Sequence, residues 1–219
     1  MDSMQPPSAA SPEQPAEPLS VAAILLAAGA SQRMGAVKAL LPLQDGVAAV
    51  CHLAALYEQY CGVCAVVTGY HADRVEATLA EAGCGFAVRN PSPEQGQLSS
   101  LQCGLRALNT IAPEAAWFLF APVDCFDVSA GLLQALLRAL DQAPPETLLC
   151  IPEAGGKHGH PVAMRRVLAQ EFLDLPVTET ARTVIHRHRN RTCFVAVPDG
   201  HWLADYDTPE EFAARTRTP

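Results

Sequence analysis

The chain has 219 residues, 49% apolar and 17% charged, enough to bury a sizeable core and too apolar for a disordered segment. Its net charge of −8 disfavours general nucleic-acid binding, which needs a basic face. No apolar run reaches the roughly 18 residues that cross a bilayer, so no membrane association is expected.

Residues 1–18 are rich in Pro, Ser, Gln and Ala and read as a flexible tail ahead of one domain over 19–219. The first twenty residues hold no Lys or Arg, only Asp2, Glu13 and Glu17, so the positive leader of an export signal is missing. A cytoplasmic location is the expectation. The first element, 21-VAAILLA-27, has the continuous apolar character of a fully buried strand.

The stretch that follows, 28-AGASQRMGAVKALLPL-43, carries the first chemistry. Lys38 does not directly follow Gly35, so it is no Walker A loop, and its glycines do not space as GxGxxG. Small residues would let backbone N–H groups approach phosphate oxygens, with Arg33 and Lys38 supplying positive charge. The same composition also suits a plain strand-to-helix connection with surface charges.

Periodicity then predicts a helix over 46–60, the strand 63-VCAVVTG-69, a helix over 72–82 and a strand over 84–90. After the loop 91-PSPEQGQ-97 come an amphipathic helix over 98–108 and the apolar strand 116-AWFLFAPVD-124. A helix over 131–140 and the strand 147-TLLCIP-152 complete the alternation. That order predicts an α/β, three-layer Rossmann-like fold with a mostly parallel sheet. Ligands of such sheets bind beyond the carboxyl ends of the strands. Ala28-Gly29, Thr68-Gly69, Arg89-Asn90 and Val123-Asp124 lie at those ends.

The last third departs from the alternation. A glycine-rich loop, 153-EAGGKHGHPVAM-164, precedes a helix expected over 178–188 and a strand over 192–198. In 205-DYDTPEEFAAR-215, Thr208 as N-cap, Pro209 at the first turn and Glu211 form a capping box. His158 and His160 have the look of a metal pair but no third ligand is specified, so polar loop residues are favoured. The run 186-HRHRNR-191 reads as a solvated helix end, where positive groups complement the dipole. A minority reading lets Arg182 or Arg187 hold an anionic acceptor. The eight cysteines are scattered, and Cys61 and Cys64, though spaced as CxxC, read as reduced thiols packed at a strand entrance.

The stretch 25-LLAAGASQRMGAVKALLPL-43 resembles the signature of the nucleotidyltransferases, and most of all the molybdenum-cofactor nucleotidyltransferases with a MobA-like NTP transferase domain. Residues 90-NPSPEQGQLSSLQCGLRAL-108, 159-GHPVAM-164 and 205-DYDTPEEF-212 are similar to three further motifs of that family, in the same order. The resemblance implies transfer of a nucleoside monophosphate from an NTP to a phosphorylated acceptor, with Mg²⁺ and release of pyrophosphate. It implies that Leu26, Ala27, Ala28 and Gly29 face base and ribose, and that Arg33 and Lys38 bind the triphosphate. Gly96, Ser99 and Ser100 would help recognise the base, Asp124 and Asp207 would hold the metal, and His160 would lie on the acceptor side. Arg33, Lys38 and Asp124 are thereby the expected catalytic residues.

The Leu-Ala-Ala-Gly form resembles the cytidylyltransferase branch, which implies CTP as donor and molybdopterin as acceptor. Transient contact with a molybdoenzyme or its chaperone would follow. A sugar phosphate acceptor is the alternative, as is a non-catalytic nucleotide- or cofactor-binding protein of the same fold. One departure stands out: around Asp124, Val123 and Phe126 replace the family's usual Gly and Pro.

Overall fold

The computed structural model describes residues 20–43, 46–198, 200–204 and 206–215. The expected tail over 1–18 lies outside them. Strand β1 (Val21–Ala27) leads into α1 (Ala49–Cys61), β2 (Val63–Thr68), α2 (Ala72–Ala82) and β3 (Phe86–Arg89). Helix α3 (Gln97–Ile111) then crosses to β4 (Trp117–Pro122), followed by α4 (Ala130–Asp141) and β5 (Leu149–Ala154). A short β6 (Lys157–His158), β7 (Val162–Arg165), α5 (Ala169–Leu173), α6 (Ala181–Arg187), β8 (Thr192–Ala196) and α7 (Pro209–Arg215) complete the chain.

All these strands join one sheet, ordered β3-β2-β1-β4-β7-β5-β6, with β8 alongside β5. The four N-terminal strands run parallel, as expected for strands joined by helical crossovers. The glycine-rich stretch that reads as a loop is instead where the sheet changes direction. Gly155 and Gly156 take positive φ and turn β5 into β6, and β7 pairs antiparallel with both β4 and β5. Its strands escape a periodicity search because they are only two and four residues long. The same brevity hides α5, a helix of five residues. The helix expected over 178–188 forms only over Ala181–Arg187.

Strand β1 is buried at every position, which explains why its sequence does not alternate. Val21, Ala23, Leu25 and Ala27 pack into the core cluster shared with α1 and α4. Ala22, Ile24, Leu26 and Ala28 pack into the opposite cluster, shared with α3, α5 and α6. Helix α3 lies close to the sheet because Gly104 faces it: a β-carbon there would sit 2.6 Å from Ile24 Cγ2 and 3.1 Å from Val67 Cγ2.

The cysteines pack as the sequence suggests. Cys61 closes α1 and Cys64 enters β2, both buried and free, and burial pushes the Cys61 thiol up to about 12. The basic run at the end of α6 forms surface ties, Arg187 to Glu171 at 2.8 Å and His188 to Glu171 at 2.9 Å, joining α6 to α5.

Two glycine substitutions should separate close packing from backbone freedom. Gly104→Val should cost about 2 kcal/mol in urea unfolding through overpacking against β1 and β2. Gly131→Ala in α4, where only Ser129 Oγ lies within reach at 3.8 Å, should stabilise by about 0.5 kcal/mol. Equal effects at the two sites would contradict the close helix–sheet approach.

Candidate functional site

Strand β1 has β2 on one side and β4 on the other, and the connections from β1 and β4 leave in different directions. A crevice therefore opens beyond their carboxyl ends. It is a cavity of about 500 Å³ lined by the residues from Leu26 to Arg33 and closed by Lys38, Tyr70, Gly96, Ser100 and Asp124.

The loop after β1 holds an uncommon shape. Ser31 lies in the left-handed region at φ 53°, and Gly35 follows at φ 66°. The Lys38 backbone N–H donates to Ser31 Oγ at 3.1 Å, drawing the loop's two ends together. The neighbouring Gly69 admits no side chain, since a β-carbon would stand 2.7 Å from the Ala28 carbonyl oxygen.

Lys38 is the centre of the site. Its Nζ donates to Asp124 Oδ2 at 2.8 Å and to Asp207 Oδ1 at 2.7 Å. Burial opposes its charge, but the two carboxylates outweigh that effect and raise its pKa above the usual lysine value. Asp207 also accepts from Arg33 Nη1 at 2.5 Å, and the contact with Lys38 is the main reason its carboxyl is held below the usual range. Arg33 is largely exposed, whereas the Lys38 side chain is 12% exposed. Two carboxylate oxygens thus converge on one point now taken by an ammonium group. That is an all-oxygen donor set suited to a hard divalent cation with further oxygens from elsewhere. Among the described residues, no group of three or more His, Cys, Asp and Glu gathers that could hold a metal alone.

Asp207 is far along the chain, and its placement explains Phe126. That ring is buried, stacks on Tyr206 at 5.7 Å between centroids and meets Phe212 edge-on at 5.4 Å. The Tyr206 hydroxyl donates to Asp127. The capping box forms as the sequence suggests, with Glu211 accepting from the N–H of Thr208 at 3.0 Å and Glu211 N–H donating to Thr208 Oγ1 at 3.3 Å. Glu211 additionally accepts from the Asp207 N–H at 2.7 Å. Phe126, Tyr206 and Phe212 therefore clamp the segment that carries Asp207 beside Asp124. In the sequence Phe126 stands out only as a departure from the family pattern, and the aromatics at 206 and 212 are the signal of its partners.

The loop after β3 is fixed by a buried polar network. Asn90 Nδ2 donates to Ser99 Oγ at 2.9 Å and Ser100 Oγ at 3.0 Å, and its Oδ1 accepts from the Ser92 N–H at 2.9 Å. Ser99 Oγ donates in turn to the Gly96 carbonyl at 2.8 Å. Gly96 and Ser100 line the cavity, while the Ser99 hydroxyl is turned into this network.

The two histidines part company. His158 stacks on Phe194 at 4.2 Å and lies 3.1 Å from Glu153. His160, joined to Pro161 by a cis peptide, has Nδ1 3.4 Å from the Phe120 carbonyl oxygen. It lines a smaller adjoining cavity rather than the one lined by Lys38.

Comparison with known proteins agrees with this architecture. The family model of the MobA-like NTP transferase domain matches residues 23–192. The molybdenum cofactor cytidylyltransferase of Escherichia coli K12 is 22% identical over 189 residues, covering 86% of this chain and 92% of its own. A nucleotidyl transferase from Methanothermobacter thermautotrophicus superposes with a TM-score of 0.73 at 24% identity, covering 90% of this chain and 96% of its own. Rv0371c from Mycobacterium tuberculosis H37Rv, in complex with manganese, superposes at 0.69 with 22% identity, covering 91% and 100%. Among the described residues, no helix is long and apolar enough to cross a membrane. With the family's model matched across the sheet and its loops, the chain belongs to the MobA-like NTP transferase domain family and is by class a nucleotidyltransferase.

Proposed function

We propose that this chain transfers CMP from CTP to the terminal phosphate of molybdopterin and releases pyrophosphate. The observation that carries the reading is the convergence of Lys38, Asp124 and Asp207 beside a cavity lined by residues Leu26 to Arg33. The name of the Escherichia coli relative supports cytidine and the pterin cofactor over other pairings. The manganese bound in the mycobacterial neighbour supports a divalent cation, which we take to be Mg²⁺.

In this reading the backbone of Leu26, Ala27, Ala28 and Gly29, with Gly96 and Ser100, cradles base and ribose. Ser99 acts behind them by fixing the loop. Arg33 and Lys38 turn from the carboxylates towards the triphosphate, and the raised pKa keeps Lys38 charged near neutral pH. Asp124 and Asp207 hold the cation, which when bound supplies neutralisation of phosphate charge. An acceptor phosphate oxygen forms a bond to the α-phosphorus as the bond to the pyrophosphate oxygen breaks. The acceptor arrives anionic, so the site needs no general base, and the work of the chain is alignment and charge.

The reading is tested by incubating the protein with Mg²⁺ and each NTP in turn, against molybdopterin and several sugar phosphates, and measuring pyrophosphate. Release with CTP and molybdopterin alone is expected; saturable NTP binding without release from any pair would replace it with a binding role. Asp124→Asn should cut pyrophosphate release about 1,000-fold with an unchanged circular dichroism spectrum. Wild-type release by that variant would remove Asp124 from the chemistry. Lys38→Ala should slow release about 100-fold, through kcat, KM for CTP, or both. Unchanged kinetics would make Lys38 only a structural counter-ion.

A further inference from the structure

The turn between β2 and α2 lies against the loop that follows β1 and meets it at three points. Gly69 packs so closely that a β-carbon there would stand 2.7 Å from the Ala28 carbonyl oxygen. The Tyr70 N–H donates to that same oxygen at 3.3 Å. The His71 ring reaches further along the loop, its Nε2 3.2 Å from the Ala30 carbonyl oxygen. A carbonyl oxygen only accepts, so the ring carries a proton on Nε2 in this contact. Ala28, Gly29, Ala30 and Ser31 line the main cavity, and His71 stands outside that lining, behind the loop.

We infer that His71 is a positioning residue for the donor nucleotide, holding the Ala30–Ser31 peptide so that the Ser31 N–H faces the donor's phosphates. This role rests on the transfer reaction proposed above, which puts a nucleoside triphosphate in the main cavity. In a trans peptide the N–H points opposite to the C=O. With the Ala30 carbonyl drawn back to His71, the Ser31 N–H is turned towards the cavity. Among the described residues that N–H donates to no protein acceptor, which leaves it for a ligand. Arg33 and Lys38 line the same cavity, so the ligand oxygen that suits this position is an anionic one.

Two further features favour a role in the loop over a role in the helix. Ser31 holds a left-handed conformation at φ 53°, uncommon for a residue with a β-carbon. Such a conformation persists only where its surroundings over-determine it. The loop supplies one restraint itself, from the Lys38 N–H to Ser31 Oγ at 3.1 Å, and His71 supplies another on the peptide just before. The second feature is where His71 sits. It is the N-cap of α2, a position at which Ser, Thr, Asp or Asn would accept from the helix's free N–H groups, yet it makes no side-chain cap hydrogen bond. Its ring serves the loop instead.

The test uses the full chain, Mg²⁺ and CTP in equilibrium dialysis, with the variants His71→Asn and His71→Gln. The Asn amide is a better helix cap but ends about where Nδ1 lies, short of Ala30, whereas the Gln amide extends to about the place of Nε2. His71→Asn should bind CTP about fivefold more weakly, the worth of one neutral hydrogen bond, while its urea midpoint equals or exceeds that of wild type. In turnover the KM for CTP should rise by the same factor, with kcat and the KM for molybdopterin within about twofold of wild type. His71→Gln should bind CTP within about twofold of wild type. Inorganic tripolyphosphate displacing CTP should lose affinity in His71→Asn to the same extent as CTP itself. Four results would overturn the role: His71→Asn binding CTP as wild type does, a loss that appears only with a lowered urea midpoint, no recovery in His71→Gln, or unchanged affinity for tripolyphosphate. Pyrophosphate release by wild type with unaltered CTP binding in the variants would sink His71 and leave the transfer reaction standing. Binding of CTP that depends on His71, without pyrophosphate from any acceptor, would do the reverse.

Discussion

A single lysine between two carboxylates holds the site together. Lys38 is mostly buried, and a buried ammonium is tolerated only with partners. Asp124 and Asp207 come from positions 86 and 169 residues further on. Without the lysine, two like charges would face each other across the crevice; with it, they are neutralised and aimed at one point. The rest of the architecture serves this geometry. The left-handed turn at Ser31 brings Lys38 back over the sheet, β4 delivers Asp124, and the aromatic contacts of Phe126 draw in Asp207.

Behind that cluster the sheet acts as a rigid frame. Strand β1 is paired on both sides from Ala22 to Leu26, so the loop that leaves it starts from a fixed position. The Asn90 network fixes the opposite wall from inside, satisfying its own polar groups and so avoiding the cost of buried unpaired ones. The cavity is therefore shaped before any ligand arrives, a condition for catalysis by alignment and charge.

The N-terminal half was legible in the sequence because long apolar strands and amphipathic helices carry strong periodic signals. The predicted helix over 72–82 coincides with α2, and the strand 21–27 with β1. Beyond β5 the strand expected over 192–198, the shortened α6 and the capping box of α7 were legible too, but β6, β7 and α5 were not, having only two, four and five residues. Pairing in the sheet stabilises these segments, and local sequence alone does not announce it. The site divides in the same way. Leu26 to Gly29, Arg33, Lys38, Gly96, Ser100 and Asp124 line one cavity, and Asp207 reaches it through an ion pair. The inward turn of Ser99 and the clamp built on Phe126 depend on contacts between distant segments, which no spacing rule encodes. Phe126 was visible as a departure from the family pattern, and its reason became visible only with Tyr206 and Phe212 beside it.

That clamp also sets a timetable. As the chain is synthesised, β1 to β4 and the Lys38 loop emerge first, and Lys38 can meet Asp124 while much of the protein is still to come. Asp207 is made only after β5 and β8, which pair with each other in the finished sheet. A nascent or prematurely ended chain would own a nucleotide-shaped crevice and one carboxylate, but not the second. Completion of the charged triad is thereby tied to completion of the fold, so partial chains lack the full set of groups from which the proposed chemistry is built.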